Sequence, residues 1–247
     1  GLVEGFVLWQ ESKGYAIGSI NVRLSTIKTY CSLARRAGVL SQSEFFEIKE
    51  IATTSHKDGR NIDVEREVTR IGRKKATPTT ISVPHASLLK QQKRPVDGAI
   101  MCLLLDMGLR CSEIAMLPKS AVNLEEATIT FYREKVDKIQ KHLLSPDTLK
   151  ALQCYLPLVT GHWLFPGRLD SRKRLPGQEY HMSTQGINKR VGELGRRVGI
   201  VDVTGPHDCR HHRLTVEAMS GTDPHTLQEI GGWSSPVQAL KYVTDAE

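Results

Sequence analysis

His207-Asp208-Cys209-Arg210, then Gly231-Gly232-Trp233-Ser234-Ser235, then Leu240-Lys241-Tyr242-Val243 stand near the end of a 247-residue chain. A companion segment, Gly108-Leu109-Arg110-Cys111-Ser112-Glu113-Ile114, lies far upstream. Arg210 stands three positions after His207, Trp233 twenty-three after Arg210, and Tyr242 nine after Trp233. Pro206 suits the first turn of a helix, so the three-residue spacing puts His207 and Arg210 on one helical face. Two permanently charged guanidinium forks, an imidazole, an indole N–H and a phenol form a chemical set. It can hold a phosphodiester, spread its charge and attack it without a metal ion.

Outward from these segments the pattern is mostly helical. Val96 to Met107 is almost wholly apolar (Ile100, Met101, Leu103, Leu104, Leu105) and predicts a helix at the centre of a core. Arg110 follows it directly, which places that arginine at the mouth of the core. Helices are expected at Pro84 to Gln92, Ser112 to Leu117, Asp147 to Tyr155, Ser183 to Val198, Asp208 to Met219, His225 to Gly231 and Pro236 to Val243. Ala127 to Tyr132 alternates in β-branched and aromatic residues, and His142 to Leu144 is expected to pair with it as a small hairpin.

The first part reads as helices only. Val3 to Trp9 and Ile20 to Ala37 carry apolar residues at helical spacing, with Ile27, Tyr30, Leu33 and Ala34 on one face and Gly38 as the stop. Ser41 to Ile51 has a serine start and a stripe of Phe45, Ile48 and Ile51; Ile62 to Ile71 is a mostly polar fourth helix. Arg73-Lys74-Lys75-Ala76-Thr77-Pro78-Thr79 has no periodicity and reads as a basic linker. Two domains are expected, 1–75 and 76–247, in a mainly α protein with a small β-sheet in the second.

Composition narrows the class. No run of about 18 apolar residues exists, so no membrane span is expected, and residues 1–4 show no basic-plus-apolar signal. Cys31, Cys102, Cys111, Cys154 and Cys209 are odd in number and scattered, a pattern of reduced thiols in a cytoplasmic protein. The net charge of +7 favours a polyanionic partner. Residues 1–75 hold 13 Lys+Arg against 9 Asp+Glu, a balance of +4, and the remaining 172 hold 21 against 18, or +3. His211 and His212 are adjacent but have no carboxylate or cysteine at matching spacing, which argues against zinc.

Taken together, the Arg110 segment, His207-Asp208-Cys209-Arg210-His211, Gly232-Trp233-Ser234-Ser235 and Tyr242 resemble the conserved boxes of the tyrosine recombinases, the phage integrases and Xer-like enzymes. Trp163-Leu164-Phe165-Pro166 is similar to a further recurring segment of that family. The resemblance implies a helical core-binding domain over 1–75 and a catalytic domain over 76–247. It also implies double-stranded DNA as partner, a homo-tetramer assembled on it, and neither cofactor nor metal. Arg110 and Arg210 are then phosphate clamps, and His207 takes a proton or donates to an oxygen. Tyr242 is the nucleophile of a 3′-phosphotyrosyl intermediate, and Trp233 stands where many relatives carry histidine.

Lys135, twenty-five residues beyond Arg110, fits the family's hairpin lysine that protonates the leaving oxygen. The turn lacks the family's glycines, so Lys138 and Lys141 stay open as alternatives. Two other activities share these residues. A type IB topoisomerase-like enzyme nicks and rejoins without strand exchange. A DNA-binding regulator keeps the fold without the chemistry, and the intact residue set argues against it. Since Tyr242 stands five residues before the last, any C-terminal exchange segment is expected to be short or missing.

Overall fold

The computed structural model describes residues 1–55, 58–59, 61–62, 81–167, 175, 177–200 and 205–244. The expected polar helix at Ile62 to Ile71 and the basic linker fall almost wholly outside them. The chain divides into two compact units, Gly1–Thr77 and Pro78–Glu247.

In the first unit α1 (Leu2–Ser12) and α3 (Gln42–Glu50) pack on α2 (Ile17–Arg36). Ser41 caps α3, its Oγ accepting from the Glu44 amide at 3.2 Å while its own amide donates to the Glu44 carboxylate at 3.0 Å. The buried face of α2 differs from the one expected. It is built from Ile17, Ile20 and Leu24, whereas Tyr30 and Leu33 are 68% and 51% exposed. The partners explain this: Gln10 and Tyr15 reach Arg23, and Thr54 holds Asn21, so much of the covering lies over the first half of the helix.

The second unit is built around α5 (Pro95–Met107), which starts on a proline and stops at Gly108 in the left-handed conformation (φ 62°). Ala99 through Leu105 are all buried. Against α5 pack α4 (Val83–Lys90), α7 (Pro146–Tyr155) and α9 (Pro206–Met219). Leu164 and Phe165, in the Trp163–Pro166 segment, are fully buried, and the Leu164 amide donates to the Leu117 carbonyl at 2.9 Å. The short α6 (Cys111–Ala115) packs on α8 (Thr184–Arg197).

The sheet is antiparallel in the order β1 (Val122–Asn123), β2 (Thr128–Arg133), β3 (Lys138–Leu143). Here the expectation was too short. β3 is six residues long and pairs with all of β2, from Thr128↔Leu143 to Arg133↔Lys138. Lys138-Ile139-Gln140-Lys141 carries no apolar alternation because this strand is mostly exposed, so periodicity could not reveal it. The turn between them is a single 3₁₀ turn, Glu134–Val136, and Asp137 takes the left-handed position (φ 49°) in place of a glycine. Aspartate tolerates that conformation better than most residues.

A second, smaller cluster of Leu214, Ala218, Leu227 and Ala239 ties α9 to α10 (Pro224–Gly231) and α11 (Val237–Thr244). Ile230, Trp233, Tyr242 and Val243 pack on it. The overall class is mainly α with a small sheet, as the sequence predicts.

Candidate active site

Five of the six residues singled out in the sequence line one cleft of about 640 Å³: Arg110, Lys135, His207, Arg210 and Trp233. They arrive from four places in the second unit. Arg110 is the N-cap residue of α6, held where Gly108 and the fully buried Leu109 turn the chain out of α5. Lys135 sits in the turn between β2 and β3. His207 and Arg210 project from the first turn of α9, which opens on Pro206. Trp233 follows Gly232, the left-handed stop of α10 (φ 54°).

The arginines are held by backbone. Arg210 Nη1 donates to the Gly108 carbonyl at 2.6 Å, and its Nη2 donates to the Gly231 carbonyl. Arg110 Nη2 donates to the Gly232 carbonyl at 2.8 Å and to the Gly231 carbonyl at 3.1 Å. Glu113 accepts from Arg110 twice, from its amide at 2.7 Å and from Nη1 at 2.8 Å. The turn after α5 and the turn after α10 are therefore pinned together by the two forks. Burial, then the charges of Arg110 and Arg133, bring the Arg210 guanidinium down to about 10, with Glu113 and Tyr242 opposing. It is still a cation at neutral pH.

Behind these side chains lies a residue that sequence reasoning passed over. Arg133, at the end of β2, is fully buried, and its three guanidinium nitrogens have no hydrogen-bond partner among the described residues. Its Nε lies 3.7 Å from the Glu113 carboxylate, and it packs against Gly232, where a Cβ would collide with it. Burial and the charge of Arg110 lower its pKa, against the pull of Glu113. A signal existed: strand alternation puts Arg133 on the same inward face as Ile129 and Phe131. Among the described residues, Glu113 is the only carboxylate within ion-pair distance of Arg110 or Arg133, and none pairs with Arg210. Three cations against one anion leave a surplus of positive charge at the base of the cleft.

Tyr242 stands apart from the other five. It is not among the cleft-lining residues; its ring stacks on Trp233 with centroids 5.6 Å apart, and the Arg210 guanidinium lies 5.7 Å from the Trp233 ring centroid. Its hydroxyl is 2.9 Å from Nδ1 of His211. His207 thus lines the cleft while His211, the residue after Arg210, contacts the phenol. The sequence signal for His211 was its place in the stripe His211, Leu214, Ala218 on the inward side of α9. Among the described residues, no group of His, Cys, Asp and Glu has the geometry of a metal site. Lys138 and Lys141 do not line the cleft, and Lys141 pairs with Glu126 at 2.5 Å.

The sequence profile of the phage integrase family matches residues 74–247, the greater part of the chain. The chain belongs to the phage integrase family. Its members are the tyrosine recombinases, and this chain is one of them by sequence as well. It is 26% identical to the tyrosine recombinase XerA of Pyrococcus furiosus, over 93% of this chain and 71% of that protein. It is 24% identical to the tyrosine recombinase XerC of Thermodesulfovibrio yellowstonii, over 95% of this chain and 73% of the relative. Among solved structures, a Tn1549 transposon integrase in complex with a circular intermediate DNA has a TM-score of 0.67 at 17% identity, over 97% of this chain and 79% of the other. A XerA recombinase crystal structure has a TM-score of 0.58 at 24% identity, over 89% and 78%. These structural likenesses show that the recombinase shares their fold.

Proposed function

We propose that this tyrosine recombinase cleaves and rejoins double-stranded DNA at specific sites through a covalent 3′-phosphotyrosyl intermediate on Tyr242. The observation that carries it is the convergence of Arg110, Lys135, His207, Arg210 and Trp233 on one positively charged cleft. Phosphoryl transfer asks a protein for positioning and charge stabilisation above all. Arg110 and Arg210 supply permanent charge in a partly dry site, where it counts for more than in water. The Trp233 indole donates to a phosphate oxygen but cannot carry a proton, and His207 donates to a second oxygen. Tyr242 attacks, the bridging 5′-oxygen leaves with a proton from Lys135, and the bond energy held in the phosphotyrosine lets the 5′-hydroxyl return without ATP.

Residues 1–75 serve as the core DNA-binding domain and 76–247 as the catalytic domain. Exchange between two duplexes breaks four strands, each needing a tyrosine, so the working assembly is a homo-tetramer on DNA. The cysteines are all free, which fits work in the reducing cytoplasm. Among the described residues no helix is long and apolar enough to cross a membrane.

Trapping on a nicked duplex, where the cleaved fragment diffuses away and rejoining is blocked, tests the proposal. The parent is expected to give a covalent protein–DNA band on a denaturing gel, and Tyr242→Phe to bind DNA as well but give none. An adduct with Tyr242→Phe removes Tyr242 as nucleophile.

A further inference from the structure

Building on that proposal, we infer that His211, rather than His207, accepts the proton of the attacking tyrosine. The two histidines are one helical turn apart on α9 but face different things. His207 is exposed and lines the cleft with the two arginines, where an imidazole meets phosphate oxygens. His211 lies on the inward side of the same helix, half-buried, with its Nδ1 2.9 Å from the Tyr242 hydroxyl and its ring centroid 5.1 Å from that of the tyrosine. That separation is within the range a general base needs.

Structure around the pair keeps it in register. Trp233 stacks on the Tyr242 ring, and Tyr242 packs on the small cluster of Leu214, Ala218, Leu227 and Ala239. His211 is fixed by α9, the helix that also carries Arg210, so the base and the phosphate clamp are consecutive residues on one rigid element. A phenol, with an ordinary pKa of about 10, is a poor nucleophile at neutral pH unless a neighbouring base removes its proton.

The step balances as follows. The Tyr242 O–H proton passes to Nδ1 of His211, with Nε2 carrying the imidazole's own proton. The phenolic oxygen forms a bond to the scissile phosphorus. The bond from phosphorus to the 5′-oxygen breaks, and that oxygen takes its proton from Lys135. Rejoining runs the same sequence backwards, His211 returning its proton to the departing phenol.

Chemical rescue tests this on the full chain, with single-turnover cleavage of a nicked duplex as the readout. His211→Ala is expected to cleave about 10²-fold or more slowly than the parent, the range of a lost general base, while DNA binding stays intact. Added imidazole is expected to restore cleavage, and a series of substituted imidazoles to do so in the order of their basicity. A merely space-filling histidine would be replaced as well by pyrazole, which has the same shape and little basicity. His211→Asn, nearly the same size, serves as a second variant should the alanine variant not fold, and is expected to be slow without losing DNA binding. His207→Ala run beside it is expected to show no basicity-ordered rescue.

Cleavage by His211→Ala or His211→Asn within threefold of the parent, or faster than it, overturns the assignment. So does equal rescue by pyrazole, or a basicity-ordered rescue that appears at His207 instead. If the parent itself forms no adduct, the recombinase mechanism fails; if the parent does and the His211 variants match it, only the role of His211 fails.

Discussion

Single residues in the cleft differ in what their loss should cost. Arg110→Ala and Arg210→Ala each remove a charged fork held by backbone carbonyls at the cleft proposed to take the phosphate. Each is expected to lose roughly 3–4 kcal/mol of transition-state stabilisation, the scale of a lost oxyanion donor. Cleavage rate should fall far more than DNA affinity, and a variant that cleaves within about threefold of the parent has only a structural arginine there. Arg133 should behave in the opposite way for stability. It is a buried cation with no hydrogen-bond partner among the described residues; Glu113, 3.7 Å from it, keeps its bonds to Arg110 when Arg133 is removed, so the substitution takes away a buried unsatisfied charge without leaving an unpaired anion. Arg133→Met is therefore expected to unfold at the same or a higher temperature than the parent without DNA. A clear fall in the unfolding temperature would mean that the guanidinium is satisfied in solution. The meeting of Arg110, His207, Arg210 and Trp233 in one cleft was legible from sequence because their spacing is distinctive. Arg133 and His211 carried only faint signals, an inward strand position and a place in a helical stripe, and what they do stands out only when their neighbours in space are known.

Elements decide which lysine and which glycine matter. The β2–β3 hairpin places Lys135 in the cleft and leaves Lys138 opposite Arg133 and Lys141 opposite Thr130. Lys135→Ala is expected to fail on ordinary DNA and to recover on DNA whose bridging 5′-oxygen is sulfur, since a thiolate leaves without a proton. Recovery at Lys138→Ala instead would move the general acid down the hairpin. At the end of α10, Gly232 holds a left-handed turn and its missing Cβ makes room for Arg133. Gly232→Ala should cost about 1–2 kcal/mol for the backbone alone, plus the displacement of Arg133, and slow cleavage by shifting the carbonyl that holds Arg110. A protein with unchanged unfolding temperature and activity would contradict this. The helices of the described residues were readable from sequence within a few residues because their apolar stripes are strong. β3 and the true inward face of α2 were not, since one strand is mostly exposed and the other face is chosen by its partners.

At the scale of the whole molecule, charge sets how DNA is met. Residues 1–75 carry +4 and the remaining 172 carry +3, so removal of 1–75 is expected to cost much of the affinity. Binding should weaken steeply with salt as phosphate contacts release counterions, and unchanged binding by residues 76–247 alone would contradict the DNA-binding role proposed for 1–75. The central claim is that Tyr242 becomes joined to DNA without a metal ion. Mass spectrometry of the adduct trapped on a nicked duplex in the presence of a chelator tests it most directly, because trypsin cuts after Lys241 and leaves Tyr242 at the head of its peptide. The predicted result is a 3′-phosphonucleotide mass on that peptide at Tyr242. A nucleotide on any other residue, or an adduct that forms only when a divalent metal is supplied, would contradict it.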